Sequence, residues 1–296
     1  MGLLWSALQT GIVQGSMIAL IALGYSMVYG ILKLINFAHS EVFMMGGYAG
    51  LYLIGGLIAP TSPVVAIILG TMGAMLLAGA LGALVERAAY APLRSRSKGA
   101  KDAATRIAPL VTALGMSVLL QNVAQLVFGP SPQNYPQAVK TGGYAVPIVV
   151  ASFSTMAGLY LLIQKTWFGK AMRALSMNTE AARLMGVNTS RVISLTFMTG
   201  SALAALGSIL FCLDQSLTSP TMGAVIGTRA FVAAVIGGIG NIPGALLGGL
   251  LLGVLGELTK TTKYAVFQDP IVFLALILVL LVKPAGLLGK DRIEKV

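Results

Sequence analysis

Residues 64–88 read Val64-Val65-Ala66-Ile67-Ile68-Leu69-Gly70-Thr71-Met72-Gly73-Ala74-Met75-Leu76-Leu77-Ala78-Gly79-Ala80-Leu81-Gly82-Ala83-Leu84-Val85-Glu86-Arg87-Ala88. No charge interrupts this run before Glu86. It is long enough for an α-helix to cross a hydrocarbon core, which takes roughly 20 residues. A chain segment in lipid must satisfy its own backbone amides, so such a run has to be helical. Comparable runs cover 8–30, 36–57, 108–128, 145–164 and 193–213, and three more cover 225–240, 244–258 and 270–288. The expected fold is therefore an all-α polytopic membrane protein with about eight or nine transmembrane segments, broken or half helices among them. Residues 1–296 are expected to form a single transmembrane domain.

Composition agrees. Hydrophobic residues make up 56% of the chain and charged residues 10%, against about 25% charged in an average soluble protein. The net charge of +11 does not point to nucleic acid, because the basic residues lie between apolar runs rather than on one soluble face. They define an orientation instead. The loop at 90–107 carries Arg94, Arg96, Lys98, Lys101 and Arg106. The loop at 165–192 carries Lys165, Lys170, Arg173, Arg183 and Arg191, and the tail adds Lys290, Arg292 and Lys295. The opposite loops offer only Lys140, Lys260 and Lys263. The positive-inside bias then places the N-terminus outside and the C-terminus in the cytoplasm. No basic stretch precedes the first apolar run, whose first cation is Lys33, so no cleaved leader is expected.

With Cys212 the one cysteine and His39 the one histidine, neither a disulfide framework nor a metal site is expected. No stretch matches a Walker A loop; Gly289-Lys290 is followed by Asp291. A nucleophile–base pair is equally poorly supported, so the chain reads as non-catalytic, with any energy coming from a gradient or a partner.

Two interruptions stand out. Gly237-Gly238-Ile239-Gly240-Asn241-Ile242-Pro243-Gly244 divides two segments that look too short to be ordinary spans. Pro243 lacks an amide hydrogen and the glycines resist regular helix, so the chain should bend or break there. Leu34-Ile35-Asn36-Phe37-Ala38-His39-Ser40-Glu41 interrupts the first half. Paired breaks of this kind suggest inverted repeats around a translocation path. Gly11 and Gly15, Gly240, Gly244 and Gly248, and Gly249 and Gly253 recur at spacings of four, which gives smooth faces for close helix packing.

A charge at the bilayer centre costs roughly 2.5–3.5 kcal/mol. Glu41, Glu86, Arg229 and Glu257 lie in or beside apolar runs. Glu86 and Arg87 are expected at the inner end of a span, and Arg229 and Glu257 near outer ends. Asn36, His39, Ser40 and Glu41 cluster at the first break. Two roles fit them: helix capping at the inner boundary, or lining the path opposite Gly240, Asn241 and Pro243.

The loop from Gly169 to Gly186 is helix-prone, with Asn178 or Thr179 suited to cap a short helix, Glu180 near its positive end and Gly186 at its stop. Its alanines and methionines are unusually apolar for a solvated loop and suit a docking element.

Ala22–Gly30 followed by Ile35-Asn36-Phe37-Ala38-His39-Ser40-Glu41, Val85–Arg94, Ala113–Ser117, Gly169–Gly186, Arg229–Ala245 and Lys283–Gly289 occur in order along nearly the whole chain. Together they resemble the permeases of branched-chain amino-acid ABC importers. Ser40 departs from that pattern, which usually has glycine before the glutamate. The resemblance implies a multi-pass protein of the bacterial inner membrane that carries branched-chain or other apolar amino acids inward. It implies a second related permease, two cytoplasmic ATPase subunits that bind ATP and Mg, and a periplasmic or extracellular binding protein. Arg173, Asn178, Glu180, Ala181, Ala182 and Gly186 would then form the coupling helix that seats on an ATPase, and this chain would hold no cofactor. Urea or short-amide ABC permeases share much of the pattern. A stand-alone channel or carrier would not need the docking loop.

Overall fold

The computed structural model describes residues 2–96, 103–136 and 143–289. The elements run α1 (Gly2–Leu32), α2 (Ala38–Ile58), α3 (Pro63–Val85), a π-helical turn (Glu86–Tyr90), α4 (Ala91–Arg96) and α5 (Ala103–Phe128). Then come β1 (Gln133–Asn134), α6 (Ala145–Lys165), α7 (Trp167–Met177), α8 (Thr179–Leu184), α9 (Thr189–Gln215) and β2 (Leu217–Thr218). The chain ends with α10 (Met222–Gly237), α11 (Ile242–Lys260), a 3-10 turn (Ala265–Phe267) and α12 (Gln268–Val282). Among the described residues, eight helices are long and apolar enough to cross a membrane, and α10 is a shorter apolar helix. The polytopic all-α architecture read from the sequence is the one observed.

α1 and α9 are buried along most of their length, whereas α12 presents nearly all of its surface outward. Leu76, Leu126, Val127, Leu281 and Val282 are among the outward-facing side chains. Helices apolar all round suit this arrangement: the inner ones face other helices and the outer ones face lipid.

Lipid offers no hydrophobic drive for helices to associate, so the bundle depends on close packing. α1 and α11 meet through the glycines noted above. A Cβ at Gly249 would stand 2.6 Å from Ala19 Cα, and one at Gly11 would stand 2.8 Å from Val254 Cα. A Cβ at Gly253 would run into the backbone of Gly15 and Gly11. Gly244 and Gly248 serve a second seam, against Gly237 and Ala233 of α10. Gly240 differs: it lies in the turn between α10 and α11 with φ +89°, and it faces Gly30 of α1.

The break at 238–241 follows the expectation, with Gly238 and Gly240 both at positive φ, a region that favours glycine. α11, however, is 19 residues long and qualifies as a span. The sequence reading had cut it short because Pro243 was taken as part of the break. Proline is tolerated in the first turn of a helix, where its missing amide has no intrahelical partner, and Pro243 stands there. The other break runs from Lys33, at φ +55°, to Phe37, between α1 and α2.

Glu86 departs from expectation. It is fully buried, accepting a 2.7 Å hydrogen bond from Ser194 Oγ of α9, while Arg87 is exposed. The π-helical turn, which shifts side-chain directions by widening one turn, opens at this residue. Arg229 pairs with Asp269 of α12 at 2.7 Å and Glu257 with Lys260 at 2.5 Å. A two-stranded antiparallel contact, Gln133 with Thr218 and Asn134 with Leu217, ties the segment after α5 to the segment after α9.

Of the cations on which the orientation rests, Lys98, Lys101, Lys140, Lys290, Arg292 and Lys295 lie outside the described residues, as do the side chains of Arg94, Arg96 and Arg106.

The packing argument predicts opposite effects for one substitution at two places. Gly253→Ala forces overlap at the α1–α11 contact and lowers the melting temperature in detergent, an overpacking cost of about 1–3 kcal/mol. A Cβ at Gly158 of α6 meets nothing within 4 Å. Gly158→Ala is neutral or stabilising by up to about 1 kcal/mol.

Candidate functional site

Two places carry the features of a site: an exposed elbow made by α7 and α8, and a chamber around Glu41.

The elbow is tightly specified. Thr166 Oγ1 accepts from Gly169 N at 3.2 Å and starts α7. α7 then buries Ala171, Met172 and Leu175 in the bundle. Gly169 lies so close to the Ile163 carbonyl that no Cβ would fit. Asn178 ends α7 and starts α8, its Oδ1 accepting from Ala181 N at 3.0 Å. α8 ends with Val187 N donating to Ala182 O and Gly186 N to Arg183 O, both at 3.0 Å, with Gly186 at φ +83°. That paired bond pattern is a Schellman stop, for which glycine is the favoured residue. Asn188 then caps α9 through Arg191 N at 3.0 Å.

The predicted coupling residues thus divide by role. Asn178 and Gly186 shape the elbow and Ala182 anchors it, whereas Glu180 and Ala181 are exposed. Arg173 turns back, its guanidinium donating to the Ile163 carbonyl near the end of α6. The methionines that the sequence marks as unusually apolar for a loop include Met177 and Met185, 83% and 85% exposed, and Leu184, which sequence reasoning did not single out, is 88% exposed. Three large apolar groups on a short capped helix pair thus make an exposed apolar face. The signal was available: methionine and leucine ending helices too short to need them for a core.

The second group of predicted residues does not gather at one point. Gly240, Asn241 and Pro243 line an open cleft of about 650 Å³ together with Arg173, Ser176 and Tyr160. Asn241 Nδ2 donates to Leu288 O at 2.6 Å rather than capping α11. Asn36, His39, Ser40 and Glu41 occupy a different region. α2 begins without a side-chain cap. Asn36 accepts instead from Tyr90 Oη at 2.9 Å, and Ser40 Oγ donates to Phe37 O at 2.7 Å. His39 is buried against Gly24 of α1 and meets Tyr25 edge-on, with ring centroids 4.8 Å apart.

Glu41 is 1% exposed. Its Oε1 accepts from Ser117 Oγ at 3.3 Å and lies 3.5 Å from Ser40 Oγ, whose proton goes to Phe37 O. Ser117 sits near the middle of the α5 span, Ile107–Phe128, and Glu41 in the first turn of the α2 span, so this carboxylate lies between two membrane-spanning helices. The chamber beside it measures about 180 Å³ and is walled by Tyr25, Phe37, Leu114 and Phe231, with Ser117 and Thr228 adding hydroxyls. α10 reaches this point through Gly223 and Gly227, where side chains would collide with Glu41 and Ser40. Their spacing of four was visible in the sequence as another small-residue face.

The Asn36–Tyr90 bond crosses the first break and generates a prediction. Tyr90→Phe leaves the buried Asn36 Oδ1 without its donor, which costs about 1–3 kcal/mol. The variant should melt several degrees lower in detergent and still insert; an unchanged melting curve would show that the bond contributes nothing.

The comparisons with known proteins agree with this architecture. The family model described as "Branched-chain amino acid transport system / permease component" matches residues 7–282. The high-affinity branched-chain amino acid transport system permease protein LivH of Salmonella typhimurium is 39% identical over 97% of this chain and 96% of its own. The protein of that name from Escherichia coli is 38% identical over the same shares. BraD of Pseudomonas aeruginosa, another high-affinity branched-chain amino acid permease protein, is 38% identical over 98% of this chain and 97% of its own. No solved structure matches significantly. With its helices, its breaks and its full-length relatives in accord, the chain belongs to the family of branched-chain amino acid transport permease components.

Proposed function

We propose that this chain is one permease subunit of an ATP-driven importer that moves branched-chain amino acids into the cytoplasm across the bacterial inner membrane. It works with a second related permease, two cytoplasmic ATPase subunits that bind ATP and Mg, and an external binding protein. The observation that carries this reading is the α7–α8 elbow, a rigidly capped element presenting Met177, Leu184 and Met185 to a partner. With the N-terminus outside, as the charge bias indicates, that elbow lies in the cytoplasm, where an ATPase would meet it.

The chamber supports the same reading. A carboxylate between membrane-spanning helices is costly to leave open to hydrocarbon, a charge at the bilayer centre costing about 2.5–3.5 kcal/mol. Leu114, Ala224 and Thr228, at its edge, are exposed, so the face between α5 and α10 is the one that turns towards the second permease and the shared path. ATP-driven closure of the ATPases moves the paired permeases between outward-open and inward-open states. A drive of this kind requires contacts that differ between the two states, and the elbow supplies the lever.

The test is uptake of labelled leucine and labelled urea, side by side, in vesicles holding this chain with its partner subunits. ATP-dependent leucine uptake that disappears without this chain is the expected result. Uptake of urea alone would move the substrate class, and uptake independent of ATP would sink the importer reading. Within an active complex, Leu184→Asp with Met185→Asp places charges in the docking face. Leucine uptake should fall at least about tenfold, an interface loss of about 1.4 kcal/mol or more, with membrane insertion unchanged. Glu180→Lys should likewise uncouple ATP hydrolysis from uptake.

A further inference from the structure

Of the seven buried side-chain atoms without a hydrogen-bond partner among the described residues, one belongs to a carboxylate. Glu41 Oε1 accepts from Ser117 Oγ, but Oε2, although buried, has no partner among those residues. No lysine or arginine pairs with this carboxylate among those residues; Arg229 pairs with Asp269 and Lys260 with Glu257. The neighbouring His39 turns its Nε2 away, against Gly24. An uncompensated buried carboxylate is among the more expensive things a membrane protein can keep.

The space around Oε2 is shaped for a ligand rather than a structural partner. A Cβ at residue 223 would stand 2.6 Å from Oε2, so the glycine there is what keeps this oxygen open. The chamber of about 180 Å³ is roughly tenfold larger than the 10–15 Å³ that admits one water. Its side-chain polar atoms are few: the carboxylate and the hydroxyls of Tyr25, Ser40, Ser117 and Thr228. A hard metal cation wants six or more oxygens, which this set does not supply. A primary ammonium has three donors and one charge, and a carboxylate with neighbouring hydroxyls matches that count. Tyr25 and Phe231 add aromatic faces, which attract cations, and Leu114 and Phe37 offer an apolar wall for an aliphatic side chain.

We infer that Glu41, with the hydroxyls of Ser40, Ser117 and Thr228, forms a subsite that binds the α-ammonium group of the amino acid during its passage. The inference rests on the proposed function and specifies which atoms of the path hold the substrate. It also accounts for a buried carboxylate between spanning helices without a counter-ion among the described residues: the cargo brings the positive charge and leaves with it.

The first test uses the complete transporter in proteoliposomes with leucine-loaded binding protein. Glu41→Gln should lower leucine uptake at least tenfold while ATP hydrolysis stimulated by the binding protein persists. Unchanged uptake in an active complex would overturn the subsite. Absence of ATP-driven leucine uptake by the unaltered complex would instead overturn the broader reading and leave the subsite to the second test.

That test needs no Glu41 variant. Ala224→Cys places a thiol on the chamber rim without removing a hydroxyl of the subsite, and the native Cys212 is fully buried. In the nucleotide-free complex, the thiol should react at least tenfold faster with the cationic aminoethyl methanethiosulfonate than with its anionic sulfonatoethyl analogue. Leucine and 3-methylbutylamine, which is leucine without its carboxylate, should slow that reaction, whereas 4-methylpentanoate, which is leucine without its ammonium, should not. Equal reagent rates, or equal protection by the amine and the acid, would overturn the inference.

Discussion

Everything in this bundle depends on how closely α1 and α11 approach. Both are long, apolar and embedded, so neither gains from hiding grease; what holds them is backbone-to-backbone contact made possible where side chains are missing. Gly11 and Gly15 on one helix meet Gly249 and Gly253 on the other, and each occupies space that a methyl group would need. From that seam the rest is set. α9 fills the opposite flank of α1, α10 docks along α11 through Gly244 and Gly248, and its Gly223 and Gly227 fall against the start of α2. The small-residue positions therefore act as the alignment marks of the bundle, fixing which helix faces the chamber and which faces lipid.

Much of this was readable in the sequence because lipid imposes a simple grammar. Runs such as 64–85 must be helices, and glycines in a row with a proline must mark a break. The readings that failed did so for local reasons. Pro243 was read as part of an interruption, although a first-turn proline is compatible with helix. Glu86 does close α3, where an interface position is expected, yet its side chain is buried beside α9, where Ser194 meets it. β1 and β2 are two residues each, too short to leave any period in the sequence.

The candidate site was legible by residue more than by arrangement. Asn36, His39, Ser40 and Glu41 are adjacent in sequence, but they do four different things: one bridges to Tyr90, one fills a notch at Gly24, one turns back on Phe37, and one faces the chamber. Side-chain direction, not sequence proximity, separates them. Ser117 and Thr228 come from distant helices, and no pattern within either helix announces that they share a wall with Glu41. At the elbow, the capping residues were visible by type, while the exposed methionines became meaningful only once the core was seen to end beneath them.

The joint between α10 and α12 has a mechanical consequence. Arg229 is pinned to Asp269 at the first turn of α12, and the segment after α12 returns to hydrogen-bond the last carbonyls of α10: Leu287 N to Ile236 O at 2.7 Å and Leu288 N to Gly237 O at 3.0 Å. Two rivets, set near opposite ends of the outermost helix, make these elements a single beam. α10 cannot draw back from Glu41 unless the lipid-facing α12 swings with it, so opening the chamber displaces bilayer. The lateral pressure and thickness of the surrounding membrane then act on α10 through α12, a helix that does not itself line the chamber.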